Sequence, residues 1–177
     1  MNRRSVLAGI LATGYFIATS MLMPGTANAQ ADPRVAKSMA NLKAMAAKLG
    51  VPKLEGKEAV GGKDAPALYF GSTKINNNFD LIDAVSKEDG KGMTATFFVK
   101  SGDEYIRVST SVPKPDGNGR AMGTVLDPAG KAIVEIKKGK PFYGEVTILG
   151  TPYITGYEPI QDTKGNVIGI YYVGYKK

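Results

Sequence analysis

The residues best equipped for chemistry in this sequence lie in the run Tyr105-Ile106-Arg107-Val108-Ser109-Thr110. A β-branched and aromatic run reads as a strand. Side chains alternate along a strand, so Tyr105, Arg107 and Ser109 are expected on one face and Ile106, Val108 and Thr110 on the other. An arginine in mid-strand beside a hydroxyl can fork onto a carboxylate, because its planar donors meet both oxygens and its charge persists under partial burial. The same run also fits a surface strand whose arginine points into solvent. Tyr153, Thr155 and Tyr157 repeat the alternation later in the chain. With Phe142 or Tyr143 they could wall a pocket that is apolar in body and polar at a few points, or they could be core aromatics with satisfied hydroxyls.

Other constellations are poor. The chain contains no histidine, cysteine or tryptophan. Cys-His and Ser-His-Asp catalysis, thiolate zinc sites and c-type haem attachment are therefore closed to it. Ser111-Val112-Pro113-Lys114 matches Ser-x-x-Lys, but Pro113 sits where the acylating motif needs a helix. Gly117 to Gly123 has one residue too many for a dinucleotide fingerprint and no helix after it. Asp103-Glu104 and Glu88-Asp89 fall in turns, so paired-carboxylate hydrolysis has no support. The expectation is a binding module, not an enzyme, with no cofactor and no metal.

Several elements must position these residues. Asp32-Pro33 is a helix start and Gly50 a stop, and between them Val35, Met39, Leu42, Met45, Ala46 and Leu49 recur at helical spacing. Residues 51–65, rich in Gly, Lys and Glu, read as a connector. A short strand at Ala67 to Phe70 precedes a helix from about Phe79 to Val85, capped by Asn78 and ended by Gly90. Thr94 to Lys100 and Tyr105 to Thr110 form a hairpin about Ser101-Gly102-Asp103-Glu104. Asp127-Pro128 repeats the helix-start device, with Gly139 as stop. Phe142 to Leu149, Pro152 to Ile160 and Val167 to Tyr175 then make a meander. The last of these is apolar on both faces, which places it inside a sheet. The sum is an α+β fold: about five antiparallel strands with an N-terminal helix and short covering helices.

The first 29 residues read as a leader for export. Arg3 and Arg4 precede an uncharged, mostly apolar stretch from Ser5 to Met23, and Ala27-Asn28-Ala29 offers a small-x-small cleavage site before Gln30. The adjacent arginines also raise the twin-arginine route. A periplasmic or secreted protein is expected, with one domain in residues 30–177. The net charge of the chain is +7, and the lysines are scattered among acids as in Lys53 to Glu58. That pattern describes a solvated surface and gives no support to nucleic-acid binding.

Taken in order, these pieces resemble the single-Cache type of the Cache family, the PAS-like extracellular sensor modules of bacterial chemoreceptors and sensor kinases. The resemblance rests on Leu68-Tyr69-Phe70-Gly71 with Lys74-Ile75-Asn76, on Thr94 to Val99 and on Tyr105 to Thr110. It continues through Gly123 to Asp127, Phe142-Tyr143-Gly144, Ile148 to Tyr153, Gly156 to Ile160 and Val167 to Gly174. It implies a PAS-like sheet behind an N-terminal helix (30–65 with its connector) and a sensor domain over 66–177. Between sheet and cover it implies a pocket for a small organic acid or amino acid. By motif position that pocket would take Arg107, Ser109 and Tyr105 from one strand, Arg120 or Lys131 from the cover, and Tyr143, Tyr153 and Thr155 from later strands. Ile133 stands where an aromatic is usual in the family. Receptors of this kind carry a second membrane span and a signalling module, whereas this sequence stops at Lys177, so a separate receptor, kinase or transporter is the expected partner. A homodimer through Met39, Leu42 and Met45 is a further expectation.

Overall fold

A computed structural model describes residues 32–90 and 92–177. The expected leader and its cleavage site lie outside the described residues. Helix α1 (Pro33–Leu49) begins where Asp32 accepts a hydrogen bond from the Arg34 backbone N–H at 2.9 Å, and Gly50 caps its far end. Strands β1 (Pro52–Val60), β2 (Lys63–Phe70) and β3 (Thr73–Lys74) form a small antiparallel sheet in that order. The residues expected as a connector are thus a strand and the start of another. β1 is an edge strand exposed along nearly its whole length, so it lacks the alternation that betrays a half-buried strand.

Helix α2 (Asp80–Asp89) follows, its first turn tied by Asn78 Oδ1, which accepts from the Asp80 N–H at 2.9 Å. The main sheet is built from β4 (Met93–Ser101), β5 (Glu104–Thr110), β6 (Phe142–Ile148), β7 (Thr151–Gln161) and β8 (Val167–Lys176). Its order is β5-β4-β8-β7-β6, antiparallel throughout. β8 occupies the centre, as its two apolar faces require. Helix α3 (Lys131–Lys137) lies between β5 and β6 in sequence. It starts three residues later than Asp127-Pro128 suggests, because Asp127 caps a turn instead: its side chain accepts from the Ala129 N–H at 2.9 Å and its carbonyl from the Gly130 N–H at 3.1 Å.

Each face of the main sheet carries its own core. On one, α1 and α2 pack Val35, Met39, Leu42, Ile82 and Val85 against β2, β4 and β8, around the aromatic group Phe70, Phe97 and Tyr171. Met39 and Leu42 are fully buried there, so the apolar stripe of α1 is core and not a free surface for a second copy. On the other face, Ala132, Ile133 and Ile136 of α3 join Phe98, Tyr105, Tyr153, Tyr157 and Tyr172. Gly61 and Gly123 cross backbone to backbone at positive φ; a Cβ on Gly61 would lie 2.3 Å from the Met122 carbonyl oxygen. That crossing fixes the segment leading into the loop above the second core.

Candidate functional site

The second face holds a cavity of about 400 Å³. Its floor is Arg107 of β5 and Tyr157 of β7, one wall is Glu145 to Leu149 along β6, and the cover is the stretch from Val125 to Ala132. The cover is anchored by backbone pairing to β5. Arg107 N–H donates to Thr124 O, Gly123 N–H to Arg107 O and Leu126 N–H to Tyr105 O, each at 2.9 Å. This segment therefore covers the outer edge of β5, as an unpaired edge demands, and suspends Leu126 and Asp127 over Arg107.

Arg107 is 3 % exposed. Its Nη1 donates to Thr124 Oγ1, whose own hydroxyl donates to Ala121 O at 2.8 Å, and its guanidinium lies 4.8 Å from the centre of the Phe98 ring. Nε is shut off from solvent and has no hydrogen-bond partner. Among the described residues Arg107 makes no ion pair. Burial lowers its affinity for its proton, while the neighbouring Tyr157, Tyr172 and Tyr153 act the other way. A guanidinium nonetheless stays charged at any biological pH. Burial pushes the hydroxyls of Tyr153, Tyr157 and Tyr172 above the usual tyrosine range, so all three are neutral phenols. The result is one buried, incompletely satisfied cation against neutral rings, an arrangement suited to holding an anion.

The residues singled out from the sequence divide sharply in position. Arg107 and Lys131 border the cavity. Tyr153 belongs to the same core, close enough to Arg107 for the guanidinium to oppose the effect of burial on its hydroxyl. Thr155, two residues along β7 from Tyr153, donates to Gly144 O at 2.7 Å and does not border the cavity. Tyr105 is buried beside the Arg107 core but opens toward Lys100 and Lys137 instead.

Ser109 does not share a face with Arg107. Pairing with β4 passes from Phe97 opposite Ser109 to Phe98 opposite Arg107, so Val108 is an extra residue, a bulge that reverses the alternation. Ser109 turns to the helix side and donates to Asn78 O at 2.6 Å. Arg120 is likewise taken up elsewhere: its fork meets both oxygens of Asp83 at 2.9 Å and it stacks 4.4 Å over Phe79. Tyr143 also faces the helices. It donates to Glu158 Oε1 at 2.5 Å, and burial, then that bond, pushes its hydroxyl far up.

Other cavity residues escaped sequence reasoning. Asp127 looked like a helix cap, and Leu126, Val146 and Ile148 carry no signal beyond being apolar. Tyr157 was visible as the third member of the Tyr153 and Thr155 alternation.

An antiparallel sheet with a cavity between one face and a short covering helix is the arrangement of a PAS-like sensor module. The match to the Cache 3/Cache 2 fusion domain over residues 23–177 shows that the chain belongs to this family of ligand-binding sensor modules. Comparison with curated proteins gave no significant match, and comparison with solved structures gave none either. Among the described residues no helix is long and apolar enough to cross a membrane.

Proposed function

We propose that this chain is an exported sensor module that holds a small organic anion in the cavity, with Arg107 as its charge anchor and Tyr157 and Tyr153 shaping the site. The observation that carries this reading is the buried guanidinium with an unsatisfied N–H and no counter-ion. An unpaired buried charge is costly, and an unsatisfied buried N–H alone costs about 1–3 kcal/mol. A ligand carboxylate beside the guanidinium offsets the unpaired charge, which makes the site selective for anions over neutral isosteres. Lys131 also borders the cavity, where the opposite charge of Asp127 balances it. The module presents its ligand state to a separate receptor, kinase or transporter when the leader is cleaved, and acts as a membrane-tethered sensor when it is retained. Mass measurement on the exported protein distinguishes the two.

Ligand binding to the folded state must raise stability by mass action. Thermal-shift screening over organic acids and amino acids is therefore expected to find stabilising anions, and Arg107→Ala to abolish the shift while the variant keeps its native circular dichroism. No shift from any acid at concentrations well above millimolar, or an unchanged shift in Arg107→Ala, overturns the reading.

A further inference from the structure

The charges and walls of the cavity restrict the ligand further, on the premise that Arg107 anchors it. Arg107 is the one cation buried in the cavity lining. The remaining charged groups at the cavity are exposed and cancel. Lys131 and Asp127, of opposite charge, both border it from the cover, and Glu145 is already paired with Lys177 at 2.8 Å. No surplus positive charge is left for a second carboxylate, which would lose water without gaining a partner. Leu126 and Ala132 from the cover, with Val146 and Ile148 from β6, make up the apolar part of the walls. A cavity of about 400 Å³ is far larger than a bare carboxylate group needs.

We infer that the ligand is a monocarboxylate with an apolar body, an acid bearing an aliphatic or aryl group of several carbons, and that dicarboxylates are disfavoured. The carboxylate meets Arg107 in the guanidinium plane, where the N–H donors point. The hydrocarbon part extends toward the mouth along Leu126 and Ile148. Each methylene that leaves water on these walls tightens binding by about fourfold.

Isothermal titration of acetate, butanoate and hexanoate, with adipate as the six-carbon diacid, tests this on the purified exported protein. Affinity is expected to rise at each step from acetate to hexanoate, with adipate at least tenfold weaker than hexanoate and all binding lost in Arg107→Met. Adipate binding as tightly as hexanoate, or affinity that does not change with chain length, overturns the monocarboxylate inference; if that binding still depends on Arg107, the anion-sensor reading stands. Binding that survives in Arg107→Met, or no binding by any of the four acids, overturns this inference, and the former removes Arg107 as anchor as well.

Discussion

The two faces of the main sheet handle polar groups in opposite ways. On the helix face several deep polar side chains are partnered: Ser38 and Tyr175 share a hydrogen bond of 2.8 Å, Asn41 donates to Asp89 at 3.0 Å, and Glu158 takes both Lys43 and the Tyr143 hydroxyl. On the cavity face the most expensive group, the Arg107 guanidinium, keeps an open donor. Arg120, whose donors Asp83 and the Thr110 carbonyl occupy, shows that the fold supplies partners where it needs them. One face is therefore organised for stability, and the other leaves an unpaired donor on a cation at the cavity floor.

The sharpest way to break this contrast is to damage the stability face alone. Leu42→Ala empties a fully buried position under α1 and is expected to cost about 2–5 kcal/mol in denaturant unfolding. Affinity per folded molecule should stay as in the parent; a loss of affinity equal to that of an Arg107 variant would show that the faces are not separable. Arg107→Met acts in the opposite direction. Removing an unpaired buried charge while keeping an apolar stem is expected to stabilise the ligand-free protein by about 1–3 kcal/mol. For a protein of this size that is a rise in Tm of about 2–4 °C per kcal/mol. Arg120→Met supplies the matched control. Its ion pair with Asp83 is partly exposed, so the loss should be small, about 1 kcal/mol or less. A fall in stability for both variants would mean that the two arginines do the same job.

The smallest effect concerns the β7–β8 turn, where Asp162 accepts from the Asn166 side chain and from the backbone N–H groups of Asn166 and Lys164. These bonds, the Asn166 side chain first, hold its carboxyl below the usual aspartate range. A carboxyl with a depressed folded pKa stabilises fully above its unfolded value, about 3.9, and loses that contribution as pH falls through the folded value. The Tm gap between parent and Asp162→Ala should therefore be largest near neutrality and shrink below pH of about 4. A gap that grows on acidification contradicts this sign.

Much of the fold was legible because its signals are local. Asp32-Pro33 and Gly50 bound α1, Ser101 to Glu104 make the β4–β5 turn, and the two apolar faces of Val167 to Tyr175 put β8 in the centre. The site was less legible because its geometry depends on residues far apart in sequence. Arg107 could be read as a candidate, but the bulge at Val108 that turns Ser109 away arises from pairing with β4. Nor could the sequence show that Asp83, 37 residues earlier, claims Arg120. β1 was missed for a different reason: an exposed edge strand leaves no hydrophobic period to read.

The strand order also sets an order in time. β4 with β5 and β6 with β7 are hairpins that form from neighbouring sequence, yet the two join only through β8, which follows both hairpins in the chain. Pairs such as Met93 with Tyr175 close loops longer than any other in the sheet, and such contacts form slowly. Arg107 stands on the first hairpin and Tyr157 on the second, so until β8 slots between them the cavity has no common floor. A growing chain therefore carries two unfinished sheet edges, the condition in which mispairing starts. The cavity floor is completed in one step, with the arrival of β8.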